Sequence, residues 1–319
     1  MSARFLLILS WQILGALTTE STETLAEVDY SAVIHKILRI ARLKILQTGP
    51  SVRPMTRDVS MVTIHDKIDV ARAEAFLATL GEERSVASGD VLPPFAHLAF
   101  FWSPKAEEGL GPDGHPKLGG LVPDFGLPLR MWAGGRLIWH APFRAGIAAE
   151  RTTRLTNVTR KEGRSGKLAF VTLRHEIRQR GQAVLSEDQD IVYREATALS
   201  GEPPVVEENP DERRALKPTE ITLFRYSALT FNAHRIHYDA GYCSSEGYPG
   251  LIVHGPLLAT LLAGMAAERG PLRQFEFRAT SPLHLGDVAW LCRTGDRYWV
   301  EGSRRRLCMT ATAVVGGAG

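Results

Sequence analysis

The chain is short of three things that would each fix a function class. It has only three cysteines, Cys243, Cys292 and Cys308, an odd number with no pair at metal-ligand spacing. That excludes a disulfide framework and a thiolate metal site, and leaves free thiols suited to a reducing compartment. A cytoplasmic protein is expected, or a mitochondrial one if the source is eukaryotic. It has little excess charge, +3 over 319 residues. Nucleic-acid binding normally needs basic residues gathered on one face, and the densest run, Arg304, Arg305 and Arg306, reads as a solvated turn or strand end. It also lacks a long apolar run. Phe5 to Leu17 (FLLILSWQILGAL) falls short of the roughly 20 residues that cross a bilayer, so no stable membrane association is expected.

What is present is ordinary globular material, 44% hydrophobic and 23% charged, long enough for one large domain or two medium ones. The first 60 residues stand apart. The apolar stretch has the length of a signal-peptide core, but only Arg4 precedes it and no small-x-small cleavage site follows. Three readings stay open for residues 1–60: a start assigned too far upstream, with Met55 or Met61 as the true one; a targeting segment; and an accessory extension.

From about residue 62 the pattern becomes regular. Asp69 caps a helical run (DVARAEAFLATLG) with Val70, Ala73, Leu77 and Leu80 at helical spacing and Gly81 to close it. Thr219 opens a second such run, TEITLFRYSALT. Strand-like stretches lie between them, at Met131 to His140, Ala149 to Asn157, Leu168 to Ile177 and Ala183 to Tyr193. A very apolar helix is expected over Leu251 to Ala267, and then strands at Gln274 to Ala279, Asp287 to Arg293, Tyr298 to Gly302 and Leu307 to Val315. Pro142 and Gly146 follow one aromatic strand, and Pro282 and Gly286 follow another; this recurrence suggests a duplication. The expected layout is an N-terminal half over 61–198, a linker over 199–211 with three prolines and four acidic residues, and a C-terminal half over 212–319. Each half reads as α+β, a long helix wrapped by a curved antiparallel sheet. A helix apolar on most faces, such as LIVHGPLLATLLAGMAA, has to be buried nearly all round.

The chemistry concentrates in Phe224 to Gly255, which holds three of the ten histidines, His234, His237 and His254, with four tyrosines, Asn232 and Asp239. His234, His237 and Asp239 make one possible metal set, although no HExxH helix is present. A hydrogen-bonded structural loop is a second reading, and general acid/base catalysis a third, since histidine titrates near neutrality. Gly255 and Pro256 sit where the loop enters the apolar helix. Proline suits a first helical turn, and the free N–H groups and positive dipole end there fit an oxygen gaining negative charge.

These residues resemble the MaoC-like hydratase/dehydratase family of hot-dog proteins. The likeness is closer to its double-hot-dog branch, which includes fungal mitochondrial hydroxyacyl-thioester dehydratases and bacterial mesaconyl-CoA (3-methylfumaryl-CoA) hydratases. The runs FRYSALTFNAHRIHYD and EGYPGLIVHGPL carry the resemblance, with LPPFAHLAFFW and LPLRMWAGGRLIWHAP in the first half. It implies a double hot dog and a hydro-lyase acting on a 2-enoyl or 3-hydroxyacyl thioester of CoA or acyl carrier protein. No cofactor or metal is implied, and a monomer or a homodimer is compatible. The wider family's motif, Asp-x-Asn-Pro-aliphatic-His, falls on Asn232 through His237. His237 and Asn232 then form the catalytic pair and the Gly255 N–H is the oxyanion donor. Asn232 departs from the motif, because an amide cannot take a proton. His234, Arg235, Tyr238, Tyr248 and His254 are expected to contact substrate, with Arg235 suited to a substrate carboxylate. The first half, with no histidine pair after its helix, is expected to have lost the chemistry and to shape the acyl site through the aromatics Phe95 to Trp102.

Overall fold

The computed structural model describes residues 61–163, 166–196 and 202–316. The segment 1–60, with all three readings of it, lies outside the described residues, as does the start of the expected linker.

The first half contains β1 (Val62–Asp66), α1 (Val70–Thr79), β2 (Leu129–Trp139), β3 (Ala149–Gly163), β4 (Gly166–Gln179) and β5 (Gln182–Arg194). The second contains β6 (Glu212–Leu216), α2 (Glu220–Thr230), α3 (Ala240–Ser245), α4 (Gly255–Ala267), β7 (Leu272–Ala279), β8 (Ala289–Thr294), β9 (Arg297–Glu301) and β10 (Leu307–Val315). All ten strands join one antiparallel sheet. Outward from the β2–β7 seam the order is β2-β5-β4-β3-β1 on one side and β7-β10-β9-β8-β6 on the other. The two series match strand for strand, so the sheet has an internal pseudo-twofold.

The backbone bonds show the same repeat. Leu92 N–H donates to Phe143 O and Val253 N–H to Leu283 O; Ala145 N–H donates to Asp90 O and Leu285 N–H to Leu251 O. Gly146 and Gly286 both adopt positive φ, 70° and 89°. The Pro–Gly signature thus marks one turn built twice, where glycine is the residue that takes this backbone without strain.

The helices begin where their caps predict. Asp69 accepts from the Arg72 N–H, and Thr219 forms a reciprocal capping box with Thr222. Their helices pack together through Phe76 and Tyr226, ring centroids 6.4 Å apart. α4 begins at Gly255, four residues later than the apolar run suggested. Pro256 belongs in a first turn, and the residues before it are extended, with Ile252 bridged to His284. Leu257, Leu258, Leu262, Ala263, Met265 and Ala266 are buried beneath β7, β9 and β10, against Phe275, Phe277, Val300 and Met309. Burying one such leucine contributes about 1.5–3 kcal/mol.

The long wrapped helix expected in the first half is a correction. Its helix α1 lies against α2, and at the place equivalent to α4 there is only a short 3₁₀ turn, Ala96–Ala99. The bonds above align Leu92 with Val253, so Pro94 stands where Gly255 stands. The space is filled by Phe95, Phe100 and Phe101, each buried, and by a polar tie in which His97 Nε2 lies 3.1 Å from Glu187 Oε2 on β5. Burial pushes Glu187 upward, but the bond to His97 and the nearby positive charge of Arg151 outweigh it and hold the carboxyl below its ordinary value.

β1, β6 and α3 were not legible. VTIHD and ERRAL are short, mostly exposed strands at the sheet's two edges, with no clean alternation. The linker residues 204–206 lie along the second half, with Leu307 N–H donating to Pro204 O and Val206 N–H to Arg305 O.

The seam between halves depends on Gly134 and Gly135, paired with Arg278 and Phe277. A Cβ on Gly134 would lie 2.6 Å from the Phe277 carbonyl oxygen, and one on Gly135 2.8 Å from both the Asp188 carbonyl oxygen and the Phe277 ring. Gly134→Ala should therefore cost about 1–3 kcal/mol of stability, read as a lower urea midpoint; an unchanged midpoint would show that the seam tolerates the methyl group.

Candidate active site

The segment 231–254 runs from the end of α2 to the start of α4. Phe231 closes α2 in the left-handed region (φ 50°). Asn232 Oδ1 then accepts the His234 N–H at 3.1 Å. A short 3₁₀ turn, Arg235–His237, follows, and Asp239 caps α3 by accepting the Tyr242 N–H at 2.9 Å. The chain returns so that Ile252 N–H donates to Ile236 O. A first-half loop presses on this turn: Arg235 N–H donates to Asp113 O, and a Cβ on Gly114 would lie 1.9 Å from Ala233 O.

His237 is buried, and its Nδ1 lies 2.8 Å from the Ile252 carbonyl oxygen. A carbonyl only accepts, so Nδ1 carries the proton and the neutral ring presents its lone pair at Nε2. The ring stacks on His254, centroids 3.6 Å apart and planes at 22°. His254 Nε2 in turn lies 2.8 Å from Ser227 Oγ of α2. His234 meets His237 edge-on at 5.6 Å, and His115 from the first half lies 4.7 Å from His234.

All four rings are held neutral. Burial, against the bond to Ile252, lowers His237 to about 4. Burial, then His237 and Arg130, lowers His234 to about 3. Burial dominates for His115 and His254 as well, and both fall well below the ordinary histidine value.

A cavity of about 310 Å³ opens beside these groups. Of the residues expected from sequence, Asn232, His234, His237, Tyr248 and Gly255 line it. Gly255 is the first residue of α4, so its N–H has no acceptor within the helix. The Trp132 ring lies where a Cβ on Gly255 would meet it at 3.3 Å.

Three residues expected to contact substrate, Arg235, Tyr238 and His254, do not line this cavity. Arg235 is engaged by Asp239 at 2.7 Å and by the Pro112 carbonyl at 3.2 Å, and it does not line the cavity. That same ion pair and the α3 cap occupy Asp239. Tyr238 is 54% exposed and donates to the Ala233 carbonyl. His254 lies beneath His237 as its stacking support.

Sequence reading missed the first-half wall: His115, Arg130, Trp132 and Gln189. Arg130 and Trp132 stand in LPLRMWAGG, which read as the approach to a strand and as part of the family resemblance but marked no site residue, and His115 is a lone histidine in a Gly/Pro turn. Of the aromatics Phe95 to Trp102, Phe95 is core, whereas Phe100, Phe101 and Trp102 line a second cavity of about 440 Å³. This cavity shares His115, Arg130, Gln189, Asn232 and Pro256 with the first. The candidate metal set also changes. Ligand atoms of Asp113, His115 and His234 lie within 4.8 Å of one another, in place of the His234, His237 and Asp239 set; the positive charge of Arg130 nearby works against a cation there.

The neutral rings set a pH window. Unfolded histidines take protons below about 6.5, whereas folded His237 and the equally buried His175 do so only near 4. The folded values are depressed, so the stability is present above 6.5 and is lost as pH falls toward 4. Melting temperature should drop over this interval; a flat profile would show that these rings are not buried neutral.

The family described as hydroxyacyl-thioester dehydratase type 2 matches residues 95–285. A mesaconyl-C(4)-CoA hydratase from Chloroflexus aurantiacus is 43% identical over 265 residues, covering 80% of this chain and 95% of that protein. The mitochondrial hydroxyacyl-thioester dehydratase type 2 of Schizosaccharomyces pombe is 29% identical over 242 residues, 66% of this chain and 80% of that one. In fold, a Mycobacterium tuberculosis protein described as a double hot dog aligns with a TM-score of 0.52 at 13% identity, over 83% of this chain and 97% of that one. The chain belongs to the hydroxyacyl-thioester dehydratase type 2 family, and is a hydro-lyase built on a double hot dog.

Proposed function

We propose that the chain adds water across the double bond of a short 2-enoyl-CoA that carries a second carboxylate, of the mesaconyl type, with His237 as the reacting base. One observation carries this reading: the His237 lone pair and the Gly255 N–H face one cavity, the first fixed by the Ile252 carbonyl and the second by the start of α4. The kinship to the Chloroflexus hydratase supports the acyl group and CoA as its carrier.

The thioester carbonyl accepts the Gly255 N–H. His237 Nε2 takes a proton from water while the water oxygen bonds to C3. The double-bond electrons move into the thioester, and the enolate oxygen is held by the Gly255 N–H and the positive end of α4. The imidazolium then returns its proton to C2, and the carbonyl re-forms. A ring held near 4 is a weak base and, once protonated, a strong acid. The return step is easy, and oxyanion stabilisation has to lower the first. Asn232 orients the water: its Oδ1 holds the His234 N–H and its amide group supplies two donors. The first half builds the wall and not the chemistry, because Pro94 has no N–H to stand in for that of Gly255. Three free, buried thiols support a reducing compartment.

Incubation with mesaconyl-C4-CoA or crotonyl-CoA should bleach the conjugated thioester absorbance without releasing free thiol; thiol release would replace the hydratase reading with a thioesterase. His237→Ala should lower kcat about 100- to 10,000-fold, and full activity would move the base elsewhere. Because the ring stays neutral until about 4, kcat/KM should stay level from pH 8 to about 5. An acid limb centred near 6.5 would identify a solvated histidine as the base.

A further inference from the structure

The described part of the molecule offers several groups that the reaction above does not use. The His97–Glu187 tie is a hydrogen bond within the core through Glu187 Oε2 alone, and no cavity residue joins it. The Asp113, His115 and His234 cluster lies beside a fixed positive charge. Arg130 is different. It stands on β2 and lines both cavities, and its side chain makes no hydrogen bond or ion pair among the described residues.

An unmatched guanidinium on a cavity wall is costly unless an anion meets it. The surroundings of Arg130 do not supply one. His115 and His234 lie close enough to feel its charge, and both are neutral. Asp113 is the nearby carboxylate, but its Oδ1 accepts the His115 N–H and it forms no ion pair with Arg130. Gln189, on the same wall, is uncharged. The planar fork of arginine suits a carboxylate with two parallel bonds.

Position selects which anion. Gly255 fixes the thioester oxygen, and His237 marks the carbon that receives water. His234 meets His237 edge-on, and Arg130, on the same cavity wall, is near enough for its charge to act on His234 and His115. A group reaching Arg130 is therefore attached at or next to the carbon that takes up water, at the acyl end of the substrate and away from the CoA phosphates. The role expected of Arg235 needs a cation free of partners, and Arg235 is tied to Asp239 outside the cavity.

We infer that Arg130 is the specificity-determining residue that binds the free carboxylate of a dicarboxylic monothioester. This rests on the hydratase reading of the same cavity. It makes the first half, which lacks the reacting groups, the half that chooses the substrate.

The test is the ratio of kcat/KM for mesaconyl-C4-CoA to that for crotonyl-CoA, which has the same thioester and no carboxylate. In the wild type the ratio should exceed one. In Arg130→Met it should fall about 30- to 1,000-fold, the loss expected when one partner of a hydrogen-bonded charge pair is removed. Arg130→Lys, which keeps the charge without the fork, should fall between the two. An unchanged ratio in a variant that still hydrates crotonyl-CoA overturns the assignment, and so does an equal loss on both substrates, which would place Arg130 on the CoA moiety. Arg130→Gln serves as a second variant should the methionine form fail to fold. A wild type that hydrates crotonyl-CoA but not the carboxylated thioester overturns the anchor and leaves the hydratase standing. A wild type inactive on both overturns the hydratase reading itself.

Discussion

Helix α4 must be buried on nearly every face, and the rest of the structure follows from that constraint. Its leucines and alanines leave no polar stripe for solvent, so the second half curls β7, β9 and β10 around it. Once the helix is fixed, so is its first residue. Gly255 then points an unshared N–H at a cavity wall, and the preceding strand-like residues place the Ile252 carbonyl where His237 can donate to it. The packing of an apolar helix and the aiming of two reacting groups are one event.

Burial also sets the character of the histidines. Four rings gathered within a few ångströms would repel one another if charged; desolvation keeps them neutral and allows His237 and His254 to stack at 3.6 Å. Ser227 on α2 anchors the lower ring, Ile252 the upper one. The His237 ring is therefore rigid, in one tautomer, and weakly basic. In the proposed mechanism such a group needs a preorganised oxyanion donor, the part given to the free N–H at the helix terminus.

The two halves share one plan and differ within it. Both keep the strand order and the Pro–Gly turn. At the place of Gly255 the first half has Pro94, which lacks the backbone N–H, and only a short 3₁₀ turn follows it. The vacated space is closed with Phe95, Phe100 and Phe101 and with the His97–Glu187 tie. What the first half contributes is a wall, with Trp132 against Gly255 and His115, Arg130 and Gln189 across the cavity.

Local chemistry made much of this readable in the sequence. The caps at Asp69 and Thr219, the repeated Pro–Gly turn, the strands of the sheet interior and the all-round apolar helix are written in neighbouring residues. So is the run from Asn232 to Gly255, because Asn232, His237 and Gly255, which line one cavity, lie on one continuous segment. The edge strands β1 and β6 were not readable, since their pairing comes from a neighbour rather than from their own pattern. Arg235 and Arg130 show the limit most clearly. Sequence alone sees two arginines near plausible motifs. Only the folded chain pairs one with Asp239 four residues on and leaves the other, from a strand about a hundred residues earlier, unpaired on the cavity wall. Which cation is free for a ligand depends on which partners the fold brings within reach, and that is a property of long-range packing.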